Sequence, residues 1–243
     1  MEKIVCAQSG GKVLILKGRL KDAINVLKAG GVVMHATETC YGLAADIFNQ
    51  SAVQKIYVIK RMNRAKPVSI MVRGLAEAKK YASFNQCALE VAKKFWPGPV
   101  TLVLPRKRGL PSFLNPGHET VGIRCPDSAI SQKLIKANGG PLVTTSANLS
   151  GKKEVYDVRD YLRQVEIELS KHALEANILR ANVVSKLDFM PDLIIDDGLI
   201  CENPPSTIVA FEKGVIKLIR KGSLWPKIRQ YCFKRAERIV VFN

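Results

Sequence analysis

Apolar residues along the chain fall into short runs and helical repeats that alternate almost to the C-terminus. Residues 12–16 (KVLIL) predict a strand, and Leu20, Ala23, Ile24 and Leu27 then recur at helical spacing before Gly30-Gly31. Residues 32–35 read as a buried strand, and Ser51 as the N-cap of a helix ending near Lys60. Further strands are expected at 68–72, 100–105, 121–126, 193–196, 206–211 and 215–220, with helices at 75–82, 87–95 and 128–138. From 155 to about 185 there is no Pro or Gly, and Val158, Leu162, Val165 and Leu169 keep helical spacing, which predicts one long helix. Residues 106–119 break any periodicity and read as a mobile loop; 225–243 read as a helix packed on the body. Strands alternating with helices predict an α/β (α+β) fold, a single domain with a mixed parallel/antiparallel sheet flanked by helices. Residues 1–17 are expected to form an N-terminal strand or extension, 18–224 the domain, and 225–243 a basic C-terminal extension.

Polar residues interrupt this pattern in a few telling places. In 141–151 (PLVTTSANLSG) the apolar run stops at Thr144, Thr145, Ser146 and Asn148. Hydroxyls at the end of a short strand suit ligand binding, because open sheets bind just beyond their strand ends. The same residues also make ordinary turns and caps. Thr37 and Thr39 follow the 32–35 strand in the same way. Lys60, Arg61, Arg64 and Lys66 put four cations into seven residues at a helix-to-strand junction, fit for phosphates or for a solvated face. Arg124 stands inside an apolar strand, and a cation there needs a fixed anion, either an internal Asp or Glu or a substrate carboxylate. Arg220 repeats the arrangement after Val215–Ile219.

Composition narrows the class. Hydrophobic residues make up 47% and charged residues 24% of the 243, as in a soluble globular protein. A balance of 38 Lys+Arg against 21 Asp+Glu, formally +17, favours a polyanionic partner (RNA, DNA, a nucleotide or an anionic membrane), or else reflects a basic proteome or solvated lysines. Six scattered cysteines and three distant histidines offer no zinc-site spacing and fit a reducing cytoplasm. No apolar run reaches the length of a membrane span. No glycine-rich phosphate loop, dinucleotide fingerprint or nucleophile elbow is present, so phosphate handling falls to side-chain cations and strand-end hydroxyls.

Six segments stand in the order and spacing of one family: TETCYGLAAD (37–46), K…KPVSIMV (60–72), FWPGPVTLVL (95–104), TVGIRCPD (120–127), PLVTTSANLSGK (141–152) and PSTIVAF…IRKGSL (205–224). Over residues 18–224 the chain resembles the YrdC/TsaC family, the L-threonylcarbamoyladenylate synthases. The resemblance implies a twisted mixed α/β sheet with a concave, positively charged cavity. It implies formation of threonylcarbamoyl-AMP and pyrophosphate from L-threonine, bicarbonate and ATP. The product serves the adenosine beside the tRNA anticodon, through a downstream threonylcarbamoyl transferase complex. Mg²⁺ is expected with ATP rather than in a dedicated protein site. Carried over position by position, the resemblance makes Thr37 a contact to threonine, Arg124 the clamp on its carboxylate and Thr144 part of its pocket. Lys60, Ser146 and Asn148 fall at catalytic positions, the last two as a Ser-x-Asn element. Lys60, Arg61, Lys66, Thr120, Ser146, Ser206 and Arg220 fall on the nucleotide side.

The chain departs from the family at a few positions. Met62 stands where a Lys-x-Arg pattern has its arginine, so Arg61 or Arg64 is expected to supply that charge. Ala36 replaces a proline, Met71 stands where some relatives carry histidine, and Glu154 where some carry a small hydroxyl residue. Two alternatives share the same basic concavity: a non-catalytic RNA-binding protein, and the carbamoyl-adenylate module of hydrogenase maturation, whose zinc-finger cysteine pairs this chain lacks.

Overall fold

The computed structural model describes residues 3–6, 12–16, 19–179, 186–212, 215–233 and 238–241. In chain order the elements are strands β1 (Lys3–Cys6) and β2 (Lys12–Leu16), helix α1 (Leu20–Lys28), β3 (Val33–Ala36), β4 (Tyr41–Asp46), α2 (Gln50–Lys60), β5 (Ser69–Met71), α3 (Leu75–Tyr81) and α4 (Gln86–Phe95). There follow β6 (Val100–Pro105), β7 (Thr120–Arg124), α5 (Ala129–Asn138), β8 (Leu142–Ser146) and α6 (Val158–Leu179). A 3₁₀ turn (Lys186–Phe189), β9 (Leu193–Ile195), β10 (Thr207–Glu212), β11 (Val215–Arg220), α7 (Trp225–Phe233) and β12 (Arg238–Val241) complete the chain. The strands form one mixed sheet in the order β1-β2-β9-β3-β4-β8-β5-β7-β6-β10-β11-β12.

Each face of the sheet has its own apolar layer. On one face α1 packs on α5, and Leu27, Leu134 and Ile135 meet Val33, Ala44, Met71 and Leu142. The other face carries the larger core, with Ile56 and Ile59 of α2, Val91 of α4, Tyr161 and Val165 of α6, and Trp225 and Ile228 of α7. Strand residues two apart share a face, so Ala44 and Leu142 continue along their strands into Gly42, Thr144 and Ser146. The polar strand ends therefore lie on the α1/α5 face, beyond its apolar part.

Local chemistry sets the element ends. Asn49, not Ser51, caps α2, its side chain accepting from Ala52 N at 2.9 Å. Arg61 then ends the helix in the left-handed region (φ 48°). Asn85 and Ser128 cap α4 and α5, and α5 stops at Gly139 (φ 80°), where a left-handed residue favours glycine.

The structure corrects two further expectations and adds a strand. Residues 106–119 are irregular but pinned, because Arg106 donates to the carbonyls of Pro111 (3.0 Å) and Leu114 (2.9 Å) and Leu110 and Leu114 are buried. Among the described residues the C-terminal segment is helical only over α7, and β12 pairs in parallel with β11. Tyr41–Asp46, left without an element by the sequence, is a central strand. The long helix is described over Val158–Leu179; the part expected over 180–185 lies outside the described residues, as do 234–237 and 242–243 of the C-terminal segment. Among the described residues no helix is long and apolar enough to cross a membrane.

Candidate active site

Strand register brings the singled-out polar residues together. Gly42 of β4 pairs with Ser146 of β8, and Thr144 pairs with Ser69 of β5. A second row runs from Arg124 of β7 to Thr101 of β6, Ile208 of β10 and Arg220 of β11. These rows floor a cleft of about 200 Å³, walled by Thr37, Thr39, Glu154 and Ser206. Gly122 leaves room for the Ser69 side chain, since a Cβ there would fall 2.5 Å from Ser69 Oγ.

The first wall is the turn between β3 and β4. Thr37 Oγ1 donates to the Cys40 carbonyl (2.6 Å) and accepts from Thr39 N (3.1 Å) and Cys40 N (3.2 Å), so this hydroxyl shapes the turn. Arg124, 7% exposed, forms an ion pair from Nη2 to Glu38 Oε1 at 2.8 Å and donates from Nη2 to Thr39 Oγ1 at 3.2 Å. The anion required by a cation on an apolar strand is therefore internal, while Arg124 still lines the cleft. Arg124 Nε and Glu38 Oε2 are buried without a hydrogen-bond partner. Sequence reasoning missed Glu38. The signal that could have found it was an acid set between Thr37 and Thr39, beside a strand arginine still in need of an anion.

The second wall joins β10 and β11. Arg220 donates from Nε to the Ser206 carbonyl (3.0 Å) and from Nη2 to Ser206 Oγ (2.7 Å). Gly222 permits this docking, because a Cβ there would run into the Pro205 carbonyl. Burial lowers the Arg220 pKa, against the opposing charge of Glu154. Glu154 is the one carboxylate among the described residues that line the cleft.

Beneath the floor lies Lys60. Its ammonium donates to Ser146 O (2.5 Å), Asn148 O (2.7 Å) and Asn148 Oδ1 (3.3 Å), which occupies all three protons. Ser146 Oγ donates in turn to Asn148 Oδ1 at 2.5 Å. Burial pushes the Lys60 pKa down to about 8, against the opposing charge of Glu154. Lys60 and Asn148 thus set the shape of the Ser146 turn from below.

Of the sequence-nominated residues, Thr37, Arg124, Thr144, Ser146, Ser206 and Arg220 line the cleft. Lys60, Arg61, Lys66, Thr120 and Asn148 are not among its lining residues. Arg61 reaches instead to Glu168 of α6 (3.0 Å) and over the Phe189 ring (5.7 Å to its centroid). Lys66 and Thr120 are exposed, Lys66 one residue before Pro67 at the cleft's edge. Met62 packs partly buried against the large core, and Met71 is buried in the α1/α5 layer. Among the described residues no group of three or more His, Cys, Asp or Glu side chains could hold a metal ion.

A mixed α/β sheet whose cleft is lined by hydroxyls and two guanidinium groups is suited to a small anionic ligand. The chain belongs to the Sua5/YciO/YrdC family, whose model, described as "Telomere recombination", matches residues 25–185. It is 37% identical over 193 residues to a Methanocaldococcus jannaschii protein provisionally named as a threonylcarbamoyl-AMP synthase, covering 79% of this chain and 80% of that one. A Pyrococcus abyssi protein named threonylcarbamoyl-AMP synthase is 35% identical over 189 residues, 76% of this chain and 55% of that one. The crystal structure of Pyrococcus abyssi Sua5 complexed with L-threonine superposes with a TM-score of 0.75 at 27% identity, covering 91% of this chain and 59% of that one. The chain therefore spans rather more than half the length of these Pyrococcus relatives.

Proposed function

We propose that the chain is an L-threonylcarbamoyladenylate synthase, a nucleotidyltransferase acting on L-threonine, bicarbonate and ATP. The observation that carries this reading is the convergence of Thr37, Arg124, Thr144 and Ser146 with Ser206 and Arg220 around one cleft. Family membership and the synthase names of the relatives support it. In the proposed reaction, the threonine amine adds to bicarbonate with loss of water to give a carbamate. A carbamate oxygen then attacks the α-phosphorus of ATP, the bond to the β-phosphate oxygen breaks, and pyrophosphate leaves.

Both reacting partners are anions, so the site has to neutralise charge and fix the line of approach. Arg124 sits at the end assigned to the threonine carboxylate. Arg220, docked on Ser206, is assigned to the nucleotide end, where a fixed cation stabilises charge developing on phosphate oxygens. The Ser146 turn, shaped from below by Lys60, lies on the far side of Arg124 from Arg220 in the order of the strands. Mg²⁺ is proposed to enter on the triphosphate as part of the substrate, with Glu154 as the carboxylate that fits it. RNA, including the tRNA that receives the product, and a downstream transferase complex are proposed partners, in keeping with the +17 charge. A cytoplasmic location completes the reading and suits cysteines at 40, 125 and 201 that form no disulfide.

Pyrophosphate release tests it. Release is expected only with threonine, bicarbonate and ATP together, and Arg124→Ala is expected to lower kcat/KM for threonine by roughly tenfold or more, the loss of a charged hydrogen bond. Release from ATP alone, or none under any combination, would overturn the assignment.

A further inference from the structure

Glu38 stands where three parts of the chain meet. Its carboxylate Oε1 holds Arg124 Nη2 at 2.8 Å and accepts from Asp127 N at 2.9 Å, in the connection between β7 and α5. Its own carbonyl accepts from Asn203 Nδ2 at 3.0 Å, in the segment that leads to Ser206. It lies between Thr37 and Thr39, both of which line the cleft. A side chain anchored in this way cannot follow a moving guanidinium; the guanidinium has to follow it.

We infer that Glu38 is a positioning residue that fixes the Arg124 guanidinium for the substrate carboxylate and so sets the affinity for threonine. The Arg124 side chain is long and leaves β7 on the open half of the sheet, so its direction is set by its partners. Nη2 is directed to Glu38 and Thr39. Arg124 Nε and Glu38 Oε2 remain buried and unpartnered, one donor and one acceptor on the two members of the same pair. The pair is thus joined through one prong where an arginine–carboxylate fork can use two, and a guanidinium held so keeps donors for a second carboxylate. Glu38 touches the reacting molecules only through Arg124. Its contribution falls on binding one substrate and leaves the nucleotide end, Ser206 and Arg220, untouched.

The inference rests on the cleft being the threonine pocket, and two sets of variants separate the two ideas. Steady-state kinetics of pyrophosphate release would be run on the full chain for wild type, Glu38→Gln, Glu38→Ala, Arg124→Ala and the Glu38→Ala/Arg124→Ala double variant, with thermal midpoints alongside. Gln keeps an oxygen at the same place, accepting from Asp127 N and facing Arg124 Nη2, so Glu38→Gln is expected to raise the threonine KM by less than threefold. Glu38→Ala is expected to raise it at least tenfold with the ATP KM unchanged, and to add nothing in the Arg124→Ala background. Equal rises in both KM values, or additive effects in the double variant, would overturn the positioning role. A fall in the threonine KM in Glu38→Ala would overturn it too, by making Glu38 a competitor for Arg124. If Arg124→Ala itself leaves the threonine KM unchanged, the threonine pocket is misplaced and the inference falls with it. Should Glu38→Ala not fold, Glu38→Gln decides: a rise of tenfold or more would show that charge rather than hydrogen-bond geometry is at work.

Discussion

His35 lies at the end of β3, fully buried, with Nδ1 donating to the Ala36 carbonyl at 2.9 Å. Burial pushes its pKa down to about 4; the charge of Glu38 opposes that shift and that of Arg124 adds to it. In the unfolded chain the ring titrates near its ordinary 6.5. Above that pH the imidazole is neutral in both states and has no effect on the balance. Between 6.5 and 4 the unfolded chain binds the proton and the folded chain does not, so stability falls as pH falls. The full shift corresponds to about 3 kcal/mol at roughly 1.36 kcal/mol per unit. Urea unfolding at pH 7 and pH 5 should therefore show wild type losing more stability than His35→Asn over that interval, by about 2 kcal/mol. An equal loss in the two proteins would place the acid sensitivity elsewhere.

Between β9 and β10 the chain crosses from the third to the tenth strand of the sheet, and it does so without regular structure over 196–206. Side chains from around the site hold it down. Tyr41 Oη donates to the Gly198 carbonyl (2.7 Å) and accepts from Asp197 N (2.9 Å), and Tyr156 Oη donates to the Asn203 carbonyl (3.2 Å). Leu199 is 72% exposed, so apolar packing does not fix that part of the segment. Tyr41→Phe removes two of these bonds and is expected to cost about 1–2 kcal/mol. Hydrogen exchange of amides 197–203 should quicken in the variant while β8 amides stay protected; unchanged exchange would mean that the segment is held by other contacts. Elements differ in how openly the sequence announces them. The strands at 68–72, 100–105, 193–196 and 215–220 were legible because apolar runs between turn residues have few other solutions. Tyr41–Asp46 was not, because a strand covered on both faces loses its alternation and its small residues resemble a loop. Helix α7 and strand β12 share 225–243, and the aromatic and basic mixture there hid the change of period.

At the scale of the whole molecule, the cleft straddles the middle of the sheet. Thr37, Thr144 and Ser146 come from the β3–β4–β8 side, Arg124 from β7, and Ser206 and Arg220 from the β10–β11 side. These residues were legible one at a time as hydroxyls and cations at strand ends. What the sequence could not carry was depth: Lys60 and Arg61 are neighbours, yet one lies under the Ser146 turn and the other reaches out to α6. Left-handed backbone at Arg61 ends α2 and separates them, a conformation that no periodicity reports. Because the two walls belong to different parts of the sheet, a ligand touching one wall restrains only that part. Ligands that together touch both tie the parts through the cleft and stabilise the fold as a unit, in proportion to their occupancy of the native state. ATP and threonine added together, with bicarbonate withheld so that no product forms, are therefore expected to raise the thermal midpoint by more than the sum of their separate shifts. Arg220→Ala should abolish the nucleotide part of that shift and the excess while leaving the threonine part. Shifts that simply add would mean two independent sites, and a threonine shift lost in Arg220→Ala would mean that the division of the cleft between the two walls is wrong.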